Sequence, residues 1–321
     1  MQSLPRRKII WLICSTILFI AIGVAFSIFR WNVFNPLKKE QIEIDGILRE
    51  FYYHVPNKLK DHPKLIFVLH GSAMTAGQMQ LVTGHLFDQN SDLHQDSIII
   101  YPQGYQKYWN DCRASAKTKA KLQNINELEF FQAMISFFKS KYSVSNSFLV
   151  GFSNGGHMVF RFALEAPELF SAFAVIAANL PVPENNECKE SKKPVSLLLI
   201  NGTADPVNPF NGGKVVVHDG IDRGIVHSTW ETILYWRNLT DCKQDSEGEY
   251  PDIEVSDQSS AKIHSFLCKR SKEKIRLIEV INGGHNIPNP TFFFWPKKQV
   301  GNVNEDLNVP EIIYDYFREW K

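Results

Sequence analysis

Leu149-Val150-Gly151-Phe152-Ser153-Asn154-Gly155-Gly156-His157-Met158, LVGFSNGGHM, places one serine among three glycines directly behind a run of strand-forming residues. Ser147 to Phe152 reads as a strand, and the G-x-S-x-G pattern of Gly151, Ser153 and Gly155 marks a tight strand-to-helix turn. Bulk two positions either side of the serine would collide with the adjoining strand and helix, so glycines there make room for an exposed hydroxyl.

A serine hydroxyl is a weak nucleophile until a base takes its proton, and a third group must orient that base. Both are expected downstream, in loops that follow strands. Asn201-Gly202-Thr203-Ala204-Asp205-Pro206 follows the strand-like run Val195 to Ile200, and Asn282-Gly283-Gly284-His285-Asn286 follows Ile275 to Ile281. The order Ser, Asp, His is that of the α/β-hydrolase arrangement, so Ser153, Asp205 and His285 are the expected catalytic residues. His157, one turn beyond the serine, is the rival base, but it would lie along the helix leaving the turn. Negative charge developing on a substrate carbonyl needs N–H donors. The backbone N–H of Asn154 is the first expected donor. Ser72, in Leu69-His70-Gly71-Ser72-Ala73 at the end of an early strand, supplies the second, with Gly71 as its neighbouring alternative.

The surrounding chain fits that reading. Ile47 to Val55, Lys64 to His70, Ser97 to Tyr101 and Ala172 to Ala178 are further strand-like runs. Asn126 to Tyr142, with Leu128, Phe131, Met134, Ile135, Phe137 and Phe138, has helical spacing, and Ser228 to Leu239 and Val309 to Trp320 read as helices. Alternating strands and helices predict an α/β fold, a mostly parallel central sheet with helices on both faces. Ligands of such sheets bind beyond the carboxyl ends of the strands. Tyr105 and Trp109, in the loop after Ser97 to Tyr101, are the expected substrate-binding wall. Phe292-Phe293-Phe294-Trp295 is a second aromatic cluster, for which burial competes with a place on the cleft rim or at a membrane.

Of 321 residues, 44% are apolar and 21% charged, ordinary for a globular chain with a sizeable core. The 35 basic and 34 acidic residues are scattered, which argues against a nucleic-acid partner. No HExxH motif or Walker loop is present, and no metal or cofactor is implied. Arg6, Arg7 and Lys8 precede the uncharged run Ile9 to Phe29, which as a helix would reach about 31 Å. It reads either as a secretory signal cut after Ala25 or Ser27 or as an uncut membrane anchor, and its length favours the anchor. Both place the remainder outside the cytoplasm, extracellular or periplasmic. The expected organisation is a signal or anchor over 1–30, a linker over 31–44 and a catalytic domain over 45–321.

Cys112, Cys188, Cys242 and Cys268 are then an even set in a disulfide-permissive compartment. Four cysteines allow three connectivities, and spacing alone does not choose among them. Cys242 and Cys268 flank one polar loop and the strand-like run Ala261 to Leu267, which favours joining them and leaves Cys112 with Cys188.

With these motifs on the page, the chain resembles the α/β-hydrolases related to extracellular polyhydroxybutyrate depolymerases and feruloyl or acetylxylan esterases. The likeness rests on LHGS with Gly71 and Ser72, YPQG followed by Trp109, GFSNGG around Ser153, NGTADP around Asp205, Trp230 with Cys242, Cys268, and GGHNIP around His285, over about residues 45 to 321. It implies serine-dependent hydrolysis, through an acyl-enzyme, of small or oligomeric 3-hydroxyacyl or hydroxycinnamoyl esters. Two positions depart from the family pattern: Ile287 stands where an aromatic residue is common, and Asn126-Glu127 where an aspartate pair often opens the helix. The competing readings are a serine peptidase on the same fold and an exported binding protein without turnover.

Overall fold

The computed structural model describes residues 37–217, 221–268, 272–290 and 297–320. The N-terminal apolar segment and the Phe292 to Trp295 cluster lie outside the described residues. Among the described residues no helix is long and apolar enough to cross a membrane.

A ten-stranded sheet organises the chain from Lys38 onward. Its strands are β1 (Lys38–Ile44), β2 (Ile47–His54), β3 (Lys64–Leu69), β4 (Ser97–Pro102), β5 (Ser147–Phe152), β6 (Ala172–Ile176), β7 (Leu197–Gly202), β10 (Cys242–Glu249), β11 (Ser260–Cys268) and β12 (Ile275–Ile281). The two-residue strands β8 (Gly213–Lys214) and β9 (Ile225–Val226) pair separately. The order across the large sheet is β1-β2-β4-β3-β5-β6-β7-β12-β11-β10. Strands β4, β3, β5, β6, β7 and β12 run parallel, while β2, β11 and β10 join antiparallel at the two sides.

Every residue of β4, β5, β6 and β7 is buried, as the unbroken apolar runs require when helices cover both faces. The helices are α1 (Ala76–Val82), α2 (Leu86–His94), α3 (Lys119–Leu122), α4 (Glu127–Lys141), α5 (Asn154–Glu165), α6 (Thr229–Thr240), α7 (Lys297–Val300) and α8 (Val309–Arg318). The Asn126 side chain caps α4 by accepting the Glu129 N–H, and Phe130, Phe131, Met134, Ile135 and Phe138 form its buried stripe. Phe317 of α8 stacks on Phe148 of β5, their ring centres 4.6 Å apart, so the closing helix packs on the strand that delivers the serine.

Two expectations are corrected. The segment 31–44, read as a linker, contains β1, an edge strand whose sequence KKEQIEI leaves its charged residues exposed or half-buried. The stretch after Cys242, read as a polar loop, is the outermost strand β10, with six of its eight residues exposed. Edge strands carry charge against further pairing, so neither shows the apolar pattern of a buried strand.

Both disulfides join the cysteines as expected. Cys242 and Cys268 are direct cross-strand partners at the end of the β10/β11 hairpin, with Cα atoms 4.0 Å apart. Cys112 and Cys188 tie two loops 76 residues apart in sequence. Chain entropy predicts that opening the Cys112–Cys188 bridge by serine substitution costs about 4.5 kcal/mol, against about 3.5 kcal/mol for the shorter Cys242–Cys268 loop. Urea unfolding of the two double-serine variants checks that order; a larger loss for the Cys242–Cys268 pair would contradict it.

Candidate active site

Ser153 stands where β5 ends and α5 begins, at φ 54° and ψ −116°, a conformation that side-chain-bearing residues rarely adopt. Its N–H donates to the Ile176 carbonyl at 2.9 Å, which pins the turn to the neighbouring strand. A Cβ on Gly151 would lie 2.2 Å from the Gly155 carbonyl oxygen, and one on Gly155 would lie 2.6 Å from the Leu69 carbonyl oxygen. Close backbone approach, not left-handed dihedrals, therefore demands these two glycines.

Neighbouring strands bring the other two residues together. Parallel β7 and β12 end side by side, Gly202 opposite Val280, and the Ala204 N–H donates to the Gly283 carbonyl at 2.9 Å. His285 Nδ1–H donates to Asp205 Oδ2 at 2.8 Å, and the Ser153 hydroxyl donates to His285 Nε2 at 2.9 Å. The second Asp205 oxygen accepts the N–H groups of Val207, 2.7 Å, and Asn208, 2.8 Å. Fixed on both oxygens, the carboxylate leaves His285 only the tautomer with a free Nε2 lone pair toward Ser153. The His285 N–H is held by the Val300 carbonyl, and the imidazole lies against the Phe152 ring, centres 5.2 Å apart.

A cavity of about 330 Å³ opens at Ser153 and His285, walled by Met74, Phe152, Val207, Val217 and Val300. Ser72 and Gly71 line it as well. Sequence reasoning missed the apolar wall residues; for Met74 and Val207, a position in the loop directly after β3 or β7 was the available signal.

Two expected roles are placed differently. Trp109 is 1% exposed, with its indole Nε1–H donated to the His70 carbonyl at 2.8 Å and its ring near those of His70 and Phe131, so it is core and not a cleft wall. Tyr105 is half-buried in a bridge with Tyr108 and is not among the cavity residues. Ile287 is buried outside the cavity lining as well. Asn126 caps its helix, and the neighbouring Glu127 is buried in an ion pair with Arg49 at 2.8 Å. His157 is buried beneath the serine turn, where burial and the nearby Arg113 guanidinium keep its ring far below the usual histidine range and hence neutral.

Behind the loop of Ser72, His70 is fully buried and donates Nδ1–H to the Gly71 carbonyl at 2.8 Å, while Nε2 accepts the Gly104 N–H at 2.9 Å. Burial, opposed in part by the Gly71 hydrogen bond, pushes its pKa down to about 4 from 6.5. Between those values the unfolded chain binds a proton that the native ring does not, so stability falls as pH drops through this window. The full loss is on the order of 3 kcal/mol. Nitrogen NMR of the imidazole should show a neutral Nδ1–H tautomer at pH 5; a protonated ring there would contradict this environment.

No family model matches the chain. In sequence it is 25% identical over 287 residues to NocK of Nocardia uniformis subsp. tsuyamanensis, which carries a provisional esterase assignment, covering 86% of this chain and 81% of that protein. A provisional feruloyl esterase C of Aspergillus niger is 30% identical over 119 residues, 36% of this chain and 38% of that protein. Among solved structures, the acetyl xylan esterase of Aspergillus awamori superposes with a TM-score of 0.52 at 14% identity, covering 78% of this chain and 95% of that one.

Proposed function

Taking the chain as an esterase-like α/β-hydrolase, we propose that it is a serine-dependent carboxylic ester hydrolase working through an acyl-enzyme. The observation that carries this reading is the hydrogen-bonded series Ser153, His285, Asp205 opening on an apolar cavity. Ser153 Oγ attacks the ester carbonyl carbon while His285 Nε2 takes its proton, and Asp205 stabilises the imidazolium that forms. The N–H groups of Ser72 and Asn154 receive the oxygen as it becomes negative. When the tetrahedral species collapses, the C–O bond to the alcohol breaks and His285 returns the proton to the departing oxygen. Water, deprotonated by the same nitrogen, then attacks the acyl-serine, and the acid leaves as Ser153 recovers its hydrogen.

The cavity walls from Met74 to Val300 bear no charged side chain, which suits a neutral, apolar or aromatic acyl group. Hydroxycinnamoyl and 3-hydroxyacyl esters, small or oligomeric, are the proposed substrates; the relative named as a feruloyl esterase supports the hydroxycinnamoyl class. The two disulfides support an oxidising compartment, and the N-terminal segment supports export with or without a retained anchor. Hydrolysis of methyl ferulate, p-nitrophenyl 3-hydroxybutyrate and simple p-nitrophenyl esters, beside matched amides, tests the reading. Turnover of esters with amides untouched is expected; cleavage of amides alone, or of neither, would overturn it.

A further inference from the structure

Asn154 and Ser72 sit on different elements, a helix start and the loop after β3, yet one oxyanion must be reached by both. The Trp109 backbone N–H donates to Asn154 Oδ1 at 2.9 Å, and the Trp109 indole Nε1–H donates to the His70 carbonyl at 2.8 Å. One residue thus ties the helix start to the loop. On the helix side, Asn154 Nδ2 donates to Asp111 Oδ2 at 2.6 Å, and Asp111 is gripped by Arg113 through Nη2 at 2.6 Å and Nε at 3.0 Å. On the loop side, the Gly71 carbonyl is held by His70 Nδ1–H, and across a trans peptide the Ser72 N–H then points away from it. His70, Trp109, Asp111 and Asn154 are all at most 1% exposed, and Arg113 is 2% exposed.

Burying this ion pair and these amides is costly, and a buried ion pair is weak evidence for stability as such. What the network does accomplish is a fixed geometry that runs from Asp111 through Asn154 and Trp109 to His70 and Gly71, the two residues before Ser72. We infer that Trp109 is a positioning residue that sets the separation of the Ser72 and Asn154 N–H groups. This rests on the esterase reading above. Asp111 and Arg113 brace the same bridge from the helix side.

Trp109→Phe keeps a large ring but removes the indole donor, and Asn154→Ala keeps its backbone N–H but removes the side-chain acceptor. Each variant is expected to lower kcat about 10- to 100-fold with KM within about twofold of wild type, since a donor displaced by an ångström loses most of its worth in the transition state. The loss should be the same for acetyl, butyryl and octanoyl p-nitrophenyl esters. The double variant should be no slower than the worse single one, because both break one bridge. Urea midpoints and intact disulfides report folding, and Asp111→Asn replaces Trp109→Phe if that protein does not fold. Wild-type kcat in both single variants, losses that multiply in the double, or a loss that depends on acyl length would overturn the inference. Wild-type protein inert toward every ester would instead sink the esterase reading and this inference with it.

Discussion

Ser153→Ala is expected to lower kcat on any ester by about 10⁶-fold, close to 8 kcal/mol of transition-state stabilisation. The change removes the atom that forms the covalent bond while leaving the turn's backbone anchor, the Ser153 N–H to Ile176, in place. Folding should therefore survive, and urea unfolding should stay within about 1 kcal/mol of wild type. Steady-state hydrolysis of a p-nitrophenyl ester checks the first figure. A loss of tenfold or less would mean that some other group makes the attack. Residual activity of up to about 10³-fold over water is compatible with the account, because bound substrate still meets the N–H donors.

Asp205→Asn should be nearly as damaging for a different reason. The wild-type carboxylate accepts three hydrogen bonds, two from Val207 and Asn208 and one from His285. An asparagine oxygen can keep the two backbone donors, but its NH₂ then faces His285 Nδ1 and calls for the opposite tautomer. That tautomer presents an N–H, not a lone pair, to Ser153. A drop in kcat of about 10⁴-fold is expected, with KM little changed. A rise in pH should not restore it, since the fault is where the proton sits and not whether the ring is charged. Activity within tenfold of wild type would contradict the assigned role of Asp205.

Much of this architecture was readable from the residues because its signals are local. Buried parallel strands appear as unbroken apolar runs, and Ser147 to Phe152 is a strand over its full expected length. Glycines flanking a serine report a backbone approach that only a strand-to-helix turn creates, and Asp205 and His285 lie in loops whose strands turn out to be neighbours. The edges were not readable: KKEQIEI of β1 and CKQDSEGE of β10 have little apolar face to pattern, and their pairing is decided by distant partners. Trp109 is a different case. Its aromatic character suggested a cleft wall, whereas its position is governed by two hydrogen bonds, to His70 and Asn154, that no spacing encodes. The cavity residues Met74, Val207 and Val217 come from three separate loops and Val300 from the end of α7, and they meet only in the folded chain.

The most direct test of the central claim is the intact mass of the full-length, disulfide-bonded protein after exposure to a fluorophosphonate, run beside Ser153→Ala and His285→Ala. The account predicts a single phosphonyl adduct, mapped to the peptide that contains Ser153, and no adduct in either variant. Folded wild-type protein that takes up no label, or labels at another residue, would contradict it.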